Sequence, residues 1–168
     1  AEGTWFFPGV YGQYEQIRFK EGEFEQRWSG ATTVPTGTEV VWQPSEEFFK
    51  NTTVEINVIK TLFKTVSCLC PGLEIQLIEM TELGQNKTIY QSRYGLNDLV
   101  DDAVKGKELL KNRLNINFEE GKNKLDLVMT YTGNYSSTIV PYVNTGLTDT
   151  GPHITQIKTA VTREMNKF

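Results

Sequence analysis

Along the 168-residue chain the spacing of apolar positions changes several times, and each change predicts a different element. From Tyr14 apolar and polar residues alternate, with Ile17 and Phe19 on one face. After Glu21-Gly22 the alternation returns through Phe24 and Trp28, which predicts a β-hairpin. A turn-rich piece from Gly30 to Thr36 leads into a strand from Thr38 that Pro44 stops, because proline cannot donate to a ladder. At Asn51 the period lengthens. Thr52 with Glu55 reads as a capping box, and Ile56, Ile59, Leu62, Phe63 and Val66 form the stripe of a helix that Pro71-Gly72 ends. Leu73, Ile75, Leu77 and Met80 then predict a strand, Gly84 to Lys87 a turn, and Ile89-Tyr90 a second strand. A short helix begins around Tyr94 to Val100. Leu114, Ile116 and Phe118 alternate, Glu120 to Asn123 turns, and Leu125, Leu127 and Met129 alternate back as a second hairpin. A last strand spans Ile139 to Val143. From His153 the apolar residues Ile154, Ile157, Ala160, Val161 and Met165 fall on one helical face running toward Phe168.

The first twelve residues are aromatic and glycine-rich, and Pro8 among the glycines argues for an irregular entry. The one plausible domain boundary falls at Gln43 to Asn51, where strand gives way to helix.

Composition narrows the class. An apolar share of 38% with 23% charged residues is ordinary for a globular chain, so global disorder is excluded. The net charge of -4 comes from the first fifty residues, with four bases against eight acids, and the rest balances at thirteen against thirteen. No basic tail is present, so avid non-specific nucleic-acid binding by the isolated chain is not expected. Nor does any apolar run approach the roughly 20 residues of a membrane span, and Ala1 opens no signal-peptide pattern. Cys68 and Cys70 are too close for ordinary disulfide geometry and lack further zinc ligands, which fits a reduced, intracellular protein. Three formal glycosylation sequons, at Asn51, Asn86 and Asn134, weigh the other way.

Self-sufficient catalysis is not visible. His153 is the only histidine, so no second imidazole can assist it, and a histidine opening a helix is more often structural than catalytic. No serine sits in a nucleophile elbow, and no glycine-rich phosphate loop is present. Paired acids such as Glu46-Glu47 read as surface, and Asp126 reads as the exposed face of a strand.

Two stretches resemble the ATPase subunit of type II DNA topoisomerases, the gyrase B and topoisomerase IV B families. In the first, Thr36-Gly37-Thr38 followed by Val40, Val41, Trp42 and Pro44 is similar to the strand that closes the family's nucleotide-binding domain. In the second, Val143-Asn144, Thr150-Gly151-Pro152-His153, Thr162-Arg163, Asn166 and Phe168 are similar to a strand, a Gly-Gly-Thr-His loop and a helix of the next domain. Thr150 and Pro152 depart from that loop pattern. The resemblance runs in continuous order from about Tyr14 to Phe168.

It implies an α+β fold: a remnant of an ATPase-domain sheet in residues 1–46, then a transducer domain of the ribosomal S5 domain 2 type in residues 47–168. By carry-over Thr38 lies on the adenine side of the ATP site. Thr36, Gly37, Asn144, Gly151, His153, Thr162, Arg163 and Asn166 are structural motif residues, and no catalytic residue or metal ligand falls in this stretch. The resemblance implies a parent enzyme using ATP and Mg2+ to drive DNA strand passage, working with DNA and an A-type subunit. It would dimerise through its ATPase domains on binding ATP and act in the cytoplasm with no membrane contact. The chain itself would be an internal fragment, inactive alone and with no cofactor bound. A secreted β-rich glycoprotein recognition domain, using the sequons and the aromatic amino terminus, is the alternative. A mismatch-repair-type ATPase is a third reading that the segment from Val143 to Asn166 disfavours.

Overall fold

The computed structural model describes residues 2–8, 12–81, 84–110 and 112–167. Tyr11, Lys111 and Phe168 therefore lie outside the described residues. The chain is mixed α and β and divides into two compact units, Ala1–Glu55 and Ile56–Phe168.

The first unit is a four-stranded antiparallel sheet in the order β3-β2-β1-β4. Its strands are β1 (Glu2–Pro8), β2 (Gln13–Lys20), β3 (Glu23–Ala31) and β4 (Glu39–Gln43). The hairpin predicted from Tyr14 is β2 and β3. Its two-residue turn, Glu21-Gly22, holds both φ angles positive, at 55° and 86°, which matches the right-handed twist of the strands it joins. The irregular entry expected for the first twelve residues is a correction: Glu2 to Pro8 form a strand paired on both sides, with β2 and with β4. The run Thr4-Trp5-Phe6-Phe7 favours extended backbone. Pro8 is the last residue of the strand, and the pairing with β4 has already ended at Phe6↔Glu39, an end position of the kind proline tolerates. On β4, Val40, Val41 and Trp42 are all exposed.

The second unit has three helices, α1 (Ile56–Leu69), α2 (Leu96–Ala103) and α3 (Pro152–Met165). Its strands pair only two by two: β5 (Ile75–Thr81) with β6 (Gly84–Tyr90), β7 (Leu114–Glu120) with β8 (Asn123–Met129), and β9 (Tyr142–Val143) with β10 (Gly146–Leu147). A single continuous sheet is thus not assembled among the described residues. The face of β5 toward α1 carries Ile75, Leu77 and Glu79, all half-buried. Phe63 of α1 meets Tyr90 of β6 edge to face, with ring centroids 6.1 Å apart. Cys68 and Ser67, at the end of α1, are the buried side chains among the described residues.

Four local expectations change. The capping box at Thr52 does not form, because α1 begins only at Ile56 and the Asn51 carboxamide instead accepts the Thr53 amide at 2.9 Å, fixing a local turn. Leu62, expected in the apolar stripe, is half exposed because α1 packs on β5 and β6 along the Phe63 side. Gly84 to Lys87 are strand rather than turn, since the register continues to Thr81↔Gly84. The strand expected over Ile139 to Val143 shrinks to Tyr142–Val143, where the pairing with Gly146-Leu147 is short.

Candidate functional site

The loop from Pro141 to His153 holds most of the motif residues of the second stretch. Pro141 ends one piece of chain, and its carbonyl accepts both the Thr148 amide, at 3.0 Å, and the Thr148 hydroxyl, at 3.3 Å. The turn between β9 and β10 is made by Asn144, whose φ of 57° is in the left-handed region that asparagine tolerates better than most residues. The loop then returns to α3 through Gly151.

Gly151 is the N-cap of α3, with φ 157° and ψ 163°. A side chain there would meet the ring of His153, with a Cβ only 2.5 Å from Cε1 and 2.6 Å from Nδ1. Pro152 follows as the first helical residue, where its missing amide costs nothing. Its fixed φ and the bare backbone of Gly151 together set the direction in which α3 leaves the loop. The Ile154 and Thr155 amides close back on the Gly151 carbonyl at 3.2 and 3.4 Å.

His153 is half-buried in the first turn, and its Nε2 lies 3.2 Å from the Thr148 hydroxyl. That hydroxyl has one proton, and the Pro141 carbonyl can only accept. Both contacts are satisfied together when Thr148 donates to Pro141 and His153 donates from Nε2, leaving Nδ1 to accept. The triad Pro141, Thr148 and His153 is therefore a staple between the loop and the helix. It contains no acid and no nucleophile activated by a base. Thr148 escaped the sequence reading, since a threonine in a loop five residues before a histidine carries no periodic or motif signal.

Farther along α3, the Thr162 hydroxyl donates to the Lys158 carbonyl at 2.9 Å, and Arg163 faces Glu164 in the last turn at 3.3 Å. Asn166 is the C-cap, its amide donating to the Thr162 carbonyl at 3.0 Å. Lys167 pairs with Glu164 at 2.7 Å. Its hydrogen bond is the main cause that holds the Glu164 carboxyl below the usual range, with Arg163 adding to it.

In the first unit, Thr36, Gly37 and Thr38 lie exposed in the loop that enters β4. The hollow of about 430 Å³ in that unit is lined by Lys20, Glu21, Gln43, Pro44, Ser45, Glu46 and Thr52, and Thr38 is not part of it. Among the described residues no three potential metal ligands cluster. These residues alone do not fit a nucleoside triphosphate with its metal: Thr36 and Thr38 offer two exposed neutral hydroxyls, and the described residues bring no group of metal ligands together. No helix among the described residues is long and apolar enough to cross a membrane.

Comparison with known proteins gives a consistent result. A family model described as DNA gyrase B matches residues 95–168, the part that contains the loop and α3. The B-type subunit of DNA topoisomerase 4 from Staphylococcus epidermidis is 29% identical over 138 residues, covering 81% of this chain and 21% of that protein. Its Staphylococcus aureus counterpart, of the same name, is 28% identical over the same length. The chain thus spans about a fifth of the length of these curated relatives. Among solved structures, the 43K ATPase domain of Thermus thermophilus gyrase B, in complex with an aminocoumarin, superposes with a TM-score of 0.79 at 23% identity. The superposition covers 99% of this chain and 46% of that one. The topoisomerase IV ATP-binding domain of Francisella tularensis, with a small-molecule inhibitor, gives 0.51 at 21% identity, over 76% and 35%. At these identities the two structures speak to the fold. The resemblance carried by the motif order is borne out, and nothing in these matches supports a secreted recognition domain.

Proposed function

We infer that this chain, a relative of the B-type polypeptides of DNA gyrase and topoisomerase IV, serves in an ATP-dependent type II DNA topoisomerase at the passage from the nucleotide-binding domain to the transducer domain. The observation that carries the reading is the match over residues 95–168, which falls on the Asn144, Gly151, His153, Thr162, Arg163 and Asn166 motif and follows the Thr36-Gly37-Thr38 segment in the family's order. On this reading residues 1–46 complete an ATPase domain and residues 47–168 form a transducer of the ribosomal S5 domain 2 type. The parent enzyme binds ATP and Mg2+, dimerises through its ATPase domains, and works in the cytoplasm on DNA with an A-type subunit. The role of this stretch is conformational: it passes a change of domain orientation from the ATPase part to the DNA-cleaving part. Thr38 contributes a hydroxyl on the adenine side, and the phosphate and metal contacts come from other parts of the parent protein.

The test separates the part from the whole. A neutral hydrogen bond contributes about 1 kcal/mol net, whereas micromolar binding needs about 8 kcal/mol, so Thr38 alone cannot hold ATP. ATP titrated calorimetrically into the isolated chain is expected to give no saturating isotherm. In the full-length parent protein Thr38→Ala is expected to weaken ATP binding by about fivefold. A micromolar isotherm from the isolated chain, or an unchanged affinity in the full-length variant, would overturn this assignment.

A further inference from the structure

The packing of the second unit has a seam. Helix α1 packs against β5, β6 and α2, and α2 packs against β8; among the described residues, α2 is the element through which the β7–β8 hairpin meets the α1 group. The two sides of α2 are tied very differently. On the hairpin side, Arg113, just before β7, donates from Nη1 to the Asn97 carbonyl at 3.3 Å and from Nη2 to the Asp101 carboxylate. Asn97 of α2 also donates its carboxamide to Asn115 of β7 at 3.0 Å. Arg113 is 21% exposed but its partner Asp101 is 60% exposed, so the carboxylate arm of this fork lies open to solvent, and the bonds to the Asn97 carbonyl and to Asn115 tie α2 to the hairpin without a second charge. On the α1 side, one ion pair, Lys64 to Asp102, crosses, and both partners are about half exposed. Beside it Gly95 approaches the Cys68 carbonyl closely enough that a Cβ would lie 3.5 Å away. No α2 side chain is fully buried.

We propose that the second unit is built as two bodies, α1 with β5–β6 and α2 with the β7–β8 hairpin, that slip on one another along the α1–α2 contact, with Lys64–Asp102 as the charge latch that closes it. The adjacent aspartates divide the work: Asp101 binds α2 to its own hairpin through Arg113, and Asp102 reaches across the seam. Exposed ion pairs are screened as the Debye length falls from about 10 Å at 0.1 M salt to about 3 Å at 1 M, whereas the bonds from Arg113 to the Asn97 carbonyl and from Asn97 to Asn115 have neutral acceptors and persist. Salt therefore loosens the seam and leaves α2 on its hairpin. This inference concerns the second unit alone and does not depend on the proposed function.

Hydrogen exchange resolved by segment on the full chain tests it, with sodium chloride raised from about 0.05 to 1 M. Amides of residues 95–104 are expected to exchange about threefold to fivefold faster at high salt, while β7 and β8 keep their protection. Lys64→Ala and Asp102→Ala should each reproduce the high-salt behaviour at low salt. The swapped pair Lys64→Asp with Asp102→Lys should restore protection, which a merely structural effect of either single change would not do. Arg113→Ala should instead release α2 from the hairpin and raise exchange in both. No salt response in residues 95–104, or no recovery in the swapped pair, overturns the latch. A hairpin that loosens together with the seam at high salt overturns the two-body division.

Discussion

Two aromatic pairs, one in each unit, have nearly the same geometry and different surroundings. Phe63 and Tyr90 meet edge to face at 6.1 Å and 75°, Phe19 and Phe24 at 6.2 Å and 78°. Phe63 and Tyr90 are both half-buried between α1 and β6, where they close a layer. Phe24 is 60% exposed at the edge of a hairpin. Ring geometry alone is worth about 0.5–1.5 kcal/mol, so most of the difference between the two pairs must come from the apolar area each removes from water. The first unit is held mainly by a continuous backbone ladder across four strands. The second shows no such ladder among the described residues and depends on helix-on-hairpin packing and on ion pairs.

The largest expected effect follows from that dependence. Phe63→Ala should lower stability by about 2–3 kcal/mol, less than for a fully buried phenylalanine because the ring is only half covered. Urea unfolding followed by hydrogen exchange in α1 and β6 would measure it, and a loss below about 0.5 kcal/mol would break the contrast between the units. Next comes Gly151→Val, expected to cost about 1–3 kcal/mol. The new Cβ needs the space of the His153 ring, and moving that ring breaks its contact with Thr148. An unchanged melting temperature would show that the loop yields without cost.

Charge sharpens the comparison further. The hydrogen bond from Arg113 holds the Asp101 carboxyl below the ordinary carboxylate range. A group whose folded pKa is depressed stabilises the fold above its unfolded pKa, about 3.9, and the benefit fades as pH falls through the lower folded value. Lys64 moves the other way, raised chiefly by its hydrogen bond with Asp102. Its contribution is complete below the unfolded value, about 10.4, and is lost only as pH rises through the folded one. Acid should therefore loosen α2 from β7, and strong base should loosen α1 from α2. Asp101→Asn is expected to remove its share of the acid dependence, visible as a flatter loss of α2 protection below about pH 4. An identical acid profile in the variant would sink the assignment.

The sequence showed unevenly what the structure contains. The hairpins β2–β3 and β7–β8 and the helices α1, α2 and α3 follow from periodicity and from glycine turns, because those signals lie within a few neighbouring residues. Strand β1 was hidden because its identity depends on partners on both sides, one of them some forty residues away, and proline with glycine masked the local preference. The start of α1 moved because Asn51 offers the backbone a competing turn. In the loop, Gly151 and His153 were visible as motif residues, but the staple through Thr148 and Pro141 exists only once the chain has folded back. The same holds for Arg113, whose partners on α2, Asn97 and Asp101, precede it by sixteen and twelve residues and meet it only in space.

The smallest effect is expected at the exposed aromatic pair. Phe24→Ala removes a ring of the same edge-to-face geometry as Phe63, yet that ring is mostly in water and sits beside the register irregularity between Arg18 and Phe19, where the β2–β3 ladder is already imperfect. A cross-strand pair of this kind contributes about 0.2–1 kcal/mol, and the alanine should cost no more than that. The backbone register on either side, Ile17↔Arg27 and Lys20↔Glu23, is set by the ladder and by the Glu21-Gly22 turn rather than by the ring. Amide protection in β2 is therefore expected to survive. If Phe24→Ala instead cost as much as Phe63→Ala, the exposed face of this hairpin would be covered in solution, and the sheet would owe its stability to burial as much as the second unit does.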